Sequence, residues 1–384
     1  MSVYFDNSAT TRVTESVKNI VVKTMTEDFG NPSSMHMAGV EAEKYINDAK
    51  HIIASILKTD EKEIFFTSGG TESNNMAVIG CAQANKRSGN KIITTSVEHS
   101  SVANPMKYLE NQGFDVVYLP VDKWGVVDME ALKREMTKDT ILVSVMFVNN
   151  EVGAIMPIDE IGKYIKGINP NVVYHVDAIQ AFGKMEIRPK KANIDLLTVS
   201  GHKIHGPKGS GFIYIKKNTK ISPIILGGGQ QYGIRSGTEN VPGIAGIGQA
   251  AKECYDNLEK NIKIMTDLKD YLIDRLSEIE GVTINSRKGI DGAPHIVSAG
   301  FLGIKSEVLL HALEDKGIYV SAGSACSSNK PAVSETLKSM KIEKDLLGST
   351  IRFSFCEFNT KEEIDYAVEE INKLLPVLRK YVRR

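Results

Sequence analysis

Six short apolar runs, at 63–67, 91–95, 115–119, 140–148, 171–176 and 196–199, are each separated from the next by a segment of helical length and pattern. The longest contains Ile141-Leu142-Val143-Ser144-Val145-Met146-Phe147-Val148, with almost no polar residue where a half-exposed strand would alternate. Strands of this composition are buried on both faces, and helical crossovers between them dictate a largely parallel, doubly wound sheet. The spacing predicts a large α/β domain over 15–255, preceded on the sheet by helices at 15–25 and 39–57. Beyond Val241 an Ala/Gly-rich stretch runs into a charged segment, 252–280, predicted helical almost throughout. The remainder alternates strands at 282–285, 296–300 and 349–355 with helices at 306–316 and 361–378, the pattern of a smaller α+β domain. Residues 1–14 are expected to join 256–384 in that second domain.

Several function classes are disfavoured at once. Lys+Arg and Asp+Glu are both 47, so the formal net charge is zero, which argues against nucleic acid or an anionic membrane as the main partner. No apolar run approaches the ~18 residues of a membrane span. The opening Met1-Ser2-Val3-Tyr4-Phe5-Asp6 lacks the basic stretch and apolar core of a signal peptide, so a cytoplasmic location is expected. Cys81, Cys254, Cys326 and Cys356 are far apart and form no CxxC pair, as in a reduced compartment.

Chemistry concentrates at strand ends. Ser200-Gly201-His202-Lys203-Ile204-His205-Gly206-Pro207-Lys208-Gly209 is a polar loop between two apolar runs, which puts Lys203 where α/β enzymes carry their sites. Phe65-Phe66-Thr67-Ser68-Gly69-Gly70-Thr71 ends a strand and opens a helix, a credible phosphate seat with neither the Walker nor the dinucleotide pattern. Asp177 closes the apolar Val173-Tyr174-His175-Val176, where an unpaired carboxylate is costly and demands a partner, unless it caps the next helix. His99 follows a strand too, as a helix-start residue or as an aromatic lid on a ring. A phosphate seat, a buried acid and a strand-end lysine together suggest pyridoxal phosphate held as a Schiff base by Lys203, the acid keeping the pyridine nitrogen protonated. A reactive amine there requires burial and nearby positive charge.

The run Ser321-Ala322-Gly323-Ser324-Ala325-Cys326 has only small residues before its cysteine, so it is expected to be mobile and Cys326 reactive, while packing is the expected fate of the other three thiols. Arg352 interrupts an apolar strand with a fork suited either to a carboxylate ligand or to a structural ion pair. A metal or redox protein built on His202, His205 and the cysteines lacks any paired ligand spacing, and no metal site is expected.

Taken together, Asp6-Asn7-Ser8-Ala9-Thr10-Thr11, Gly30-Asn31-Pro32-Ser33-Ser34, the Ser-Gly-His-Lys loop, Arg235-Ser236-Gly237-Thr238-Glu239-Asn240, Ser324-Ala325-Cys326-Ser327-Ser328 and Arg352-Phe353-Ser354 resemble the cysteine desulfurases of the class V, pyridoxal-phosphate fold type I family. The resemblance implies a large domain with a mainly parallel sheet, a smaller α+β domain and a homodimer. It makes Lys203 the cofactor anchor and the base at the substrate α-carbon, with Asp177 on the pyridine nitrogen, Gln180 on the ring hydroxyl and His99 stacked on the ring. Gly70, Thr71, Ser200 and His202 would hold the phosphate, joined by Thr238 from the other subunit. Asn150 and Arg352 would bind the carboxylate of L-cysteine, and Cys326 would take its sulfur as a persulfide, leaving alanine. The persulfide would pass to an acceptor protein, either an iron–sulfur scaffold or a tRNA-thiolation protein. A selenocysteine lyase or another class V enzyme would share the cofactor site without needing the thiol loop. Ser334-Glu335-Thr336-Leu337 stands where the family often has Ser-His-Val-Leu, and Gln231 where it often has Glu, departures that bear on the acceptor rather than the chemistry.

Overall fold

The computed structural model describes residues 2–322 and 333–381. Seven strands form one sheet in the spatial order Ile64–Thr67, Gly211–Ile215, Leu196–Ser200, Val173–Asp177, Thr140–Met146, Lys91–Thr95 and Asp115–Leu119. Val143 sits opposite both Tyr174 and Ile93 in parallel register, and Ile93 opposite Val117. Within this sheet only Gly211–Ile215 runs against its neighbours. The lysine loop before it is too short for a helical crossover, so the chain must return antiparallel. The α/β class and the mainly parallel sheet read from the sequence are therefore what the chain adopts.

Adjacent residues of one strand serve different cores, which explains the missing polar alternation. Val143, Ile93 and Leu197 pack into one hydrophobic cluster while Leu142, Ile92 and Leu196 pack into the cluster on the opposite face. Because the strands are parallel, the loops after Thr67, Thr95, Met146, Asp177 and Ser200 emerge along one edge of the sheet.

A second, antiparallel sheet has the order Ser321–Ala322, Thr350–Ser354, Ile296–Phe301, Val282–Ile284. Ile351, Phe353 and Phe355 face a core shared with Leu272, Leu313 and Ile371, and Val3 and Phe5 from the N-terminal arm insert into it. The period of two then turns Arg352 to the opposite face, where it is buried. Val3–Tyr4 pairs in parallel with Ile318–Tyr319, and the Phe5 ring meets Phe355 edge-on at 5.1 Å.

The charged segment is not one helix. Val241–Asp256 and Leu258–Ser277 meet at Asn257, whose side-chain amide donates to the Glu253 carbonyl (3.3 Å) and whose backbone leaves helical geometry. A side chain that competes for helix carbonyls favours such a break. The Ala/Gly-rich half needs its small residues for close packing, since a Cβ on Gly248 would lie 2.8 Å from Ala49 Cβ. Gln231 has a job its position in sequence did not reveal. Its amide accepts from Phe66 N–H (2.6 Å) and donates to Phe66 C=O (2.7 Å), covering the edge strand Ile64–Thr67; a glutamate there cannot donate.

Candidate active site

Lys203 ends a tight turn, Gly201–Lys203, directly after the strand Leu196–Ser200. Its Nζ donates to the carbonyls of Ser8 (2.6 Å) and Ala9 (2.7 Å). These come from the N-terminal arm, which is bound to the same turn: Thr11 N–H and Thr11 Oγ1 both donate to the His202 carbonyl, and His205 N–H donates to Thr11 Oγ1 at 2.7 Å. His205 adopts φ +64, held by that bond and by a 2.7 Å hydrogen bond between its Nδ1 and the Arg12 carbonyl. The buried Lys184 Nζ donates to the Lys203 carbonyl at 2.7 Å, and burial pushes the Lys184 pKa down.

Lys203 opens onto a cavity of about 200 Å³ whose walls include Gly70, Thr71, His99, Asn150, Asp177, Gln180, Ser200, His202 and Arg352. The large sheet gathers five segments here, and the second sheet contributes Arg352. Asp177, buried at the end of Val173–Asp177, accepts from Ile179 N–H (3.0 Å) and from Asn74 Nδ2 (2.8 Å). Burial pushes its carboxyl upward, while the backbone bond, His99, Asn74 and Lys203 pull it down. A cation arriving in the cavity adds to the second group and favours the carboxylate. His99 caps the helix Ser100–Asn111, its Nδ1 accepting from Ser101 N–H at 3.1 Å. Burial holds its pKa down, so the ring is neutral with its proton on Nε2.

The two glycines after Ser68 are favoured for different reasons, one by its backbone conformation and the other by a close side chain. Gly69 has φ +148, and a Cβ on Gly70 would lie 2.3 Å from Ile179 Cδ1. His202 is held down to about 4 by burial and by Lys203, Lys208 and Lys184, and its buried Nδ1 has no partner among the described residues. Arg235 binds Glu72 at 2.8 Å, tying the Arg-Ser-Gly-Thr segment to the helix that begins at Gly70.

Arg352 forms the structural ion pair, one of the two readings of its fork, and it also lines the cavity. Nη2 pairs with Asp6 Oδ1 (2.9 Å) and Nη1 donates to the Asn150 carbonyl (2.8 Å), while its buried Nε has no partner among the described residues. Thr238 is exposed and lies outside this cavity. Cys326 lies outside the described residues. His205, read as a possible metal ligand, pairs through Nε2 with Glu357 at 3.3 Å, with the buried Lys184 charge close to that carboxylate. Two contributors escaped sequence reasoning. Asn74 sits one helical turn after Thr71, a spacing that places both toward one side of the helix. His295 has no local signal at all.

The aminotransferase class-V family model matches residues 3–367. A cysteine desulfurase IscS of Methanosarcina thermophila is 43% identical over 378 residues, covering 98% of this chain and 93% of the relative. Among solved structures, a NifS-like protein superposes with a TM-score of 0.93 at 39% identity, covering 98% of this chain and 100% of the other. SspA in complex with cysteine superposes with a TM-score of 0.80 at 30% identity, covering 94% and 100% respectively. Sequence match and fold agree: the chain belongs to the class-V aminotransferase family, in its NifS/IscS branch of cysteine desulfurases.

Proposed function

We propose that this protein removes the sulfur of L-cysteine, giving L-alanine and a persulfide on Cys326. The observation that carries the reading is the convergence of Lys203, Asp177, Gly70, Thr71 and Arg352 on one cavity. The family's cofactor is pyridoxal 5'-phosphate, and the residues present fit it. A buried acid, a lysine amine, a glycine-walled seat and the unpartnered His202 Nδ1 match its ring nitrogen, aldehyde and phosphate. When bound, it supplies an electron-withdrawing ring on which a substrate amine is activated. Around it, Lys203 Nζ is the anchor and takes the proton from the substrate Cα. Asp177 holds the ring nitrogen, Gln180 the ring hydroxyl and His99 the ring face, while Thr71, Ser200 and His202 hold the phosphate. Cys326 attacks the substrate sulfur; an S–S bond forms as the C–S bond breaks, and its electron pair stays with the carbon, which is protonated to alanine.

The reading extends to a homodimer: Thr238 is exposed and does not line this cavity, and the family resemblance assigns it to the phosphate of a neighbouring subunit's site. It includes a cytoplasmic location, with an iron–sulfur scaffold or a tRNA-thiolation protein accepting the sulfur. No helix among the described residues is long and apolar enough to cross a membrane. The 1–14 arm and 256–384 form the small domain in this reading, and 15–255 the large one. Incubating the holoprotein with L-cysteine should give alanine and a Cys326 peptide one sulfur atom heavier by mass spectrometry; alanine without that adduct sinks the persulfide, and neither product sinks the activity.

Arg352 gives a finer test. Arg352→Lys keeps a charge for Asp6 but loses the planar fork, so KM for cysteine should rise ~10–100-fold, the worth of one charge-assisted hydrogen bond, with a smaller fall in kcat. Steady-state alanine production measures both, and an unchanged KM would reduce Arg352 to a structural partner of Asp6.

A further inference from the structure

His295 belongs to the second sheet's side of the molecule and immediately precedes the strand Ile296–Phe301. It is fully buried, and its carbonyl is fixed by Phe355 N–H at 2.9 Å. Its Nε2 lies 3.2 Å from Gln180 Oε1, while Nδ1 has no partner among the described residues. An amide oxygen only accepts, so the proton of that pair is on Nε2. Burial and the charges of Lys184, Arg352, Lys269 and Lys203 around it hold the imidazole neutral, with a single proton to place. Gln180 Nε2 meanwhile donates to the Ser8 carbonyl at 3.0 Å, the same carbonyl that receives Lys203 Nζ. A flipped amide would set oxygen against the Ser8 carbonyl and N–H against the His295 N–H.

We infer that His295 is a positioning residue for the cofactor site: its Nε2–H locks the Gln180 amide so that Gln180 offers the cavity only an N–H. The inference rests on the reading that Gln180 meets the ring hydroxyl. A donor fixed there stabilises the deprotonated oxygen, and a free amide would lose that preference. The lock couples the two halves of the chain, since Gln180 follows a strand of the large sheet and His295 enters the small one.

The test compares holoenzymes with His295→Leu, His295→Gln and Gln180→Leu. For each, the pH midpoint of the bound cofactor's visible absorption change is titrated, and cofactor affinity is measured by dialysis. His295→Leu should move the midpoint up by about half to one pH unit and weaken cofactor binding about fivefold, the scale of one hydrogen bond. His295→Gln restores a donor near Nε2 and should return the midpoint close to wild type. A merely structural histidine would lower the melting temperature in both variants and leave the midpoint unmoved, which overturns the inference. A silent Gln180→Leu would instead refute the placement of Gln180. Should His295→Leu fail to fold, His295→Asn, whose amide N–H stands nearer the Nδ1 position, carries the same expected shift, and a wild-type midpoint in that variant overturns the lock.

Discussion

Cys326→Ala is expected to leave the purified protein yellow and to abolish persulfide formation, with sulfide release from L-cysteine falling on the order of 1,000-fold or more, as for loss of a nucleophile. The size of the effect follows from the absence of a substitute. Among the described residues the remaining thiols, Cys81, Cys254 and Cys356, are all buried. Burial pushes each of them up to about 12, so the thiolate is vanishingly rare at neutral pH. Cys81 packs within the cluster of Met76, Val102 and Leu142, behind the sheet rather than at its functional edge. The residues proposed to hold the cofactor do not include Cys326, so colour and a borohydride-fixed cofactor are expected to persist in the variant. Desulfuration at the wild-type rate by Cys326→Ala would remove the nucleophile assignment and favour the alternative, a selenocysteine lyase or another class V enzyme that does not need the thiol loop.

Lys203→Ala should be the more damaging change to the site itself. It removes the covalent anchor and the α-carbon base together, and a fall in alanine production on the order of 1,000- to 100,000-fold is expected. The Ser8 and Ala9 carbonyls lose the donor they share, and part of the arm's attachment with it. Thr11 still binds the His202 carbonyl, so the arm stays docked and the fold persists. Borohydride treatment followed by peptide mapping separates the two roles: wild-type enzyme carries the fixed cofactor on the Lys203 peptide, and the variant carries none. A reducible adduct at the buried Lys184 in the variant would show that another amine takes over the anchor.

What the amino-acid order determines here is local. Runs without alternation specify strands buried on both faces, and that alone yields a parallel sheet with its loops on one edge. The position of Lys203 and Asp177 at strand ends follows from where the apolar runs stop. The pattern of small residues before Cys326 distinguishes it from thiols set among Ile and Ala. The asparagine at 257 was visible in the same sequence, yet helical periodicity continues across it, and only the side-chain bond to Glu253 shows the break.

What only the tertiary structure decided is the pairing of remote segments. Lys203 meets Ser8 across 195 positions, Arg352 meets Asn150 across 202, and His295 meets Gln180 across 115. Periodicity names the face a residue shows, not the segment that will stand opposite it. That partner is set by topology: the arm inserts Val3 and Phe5 into the small core, which delivers Ser8 to the lysine, and the antiparallel register turns Arg352 away from Phe353 and toward the sheet edge. A buried histidine such as His295 carries no periodic signature at all, so its role becomes readable only when the amide it holds is seen beside the cavity.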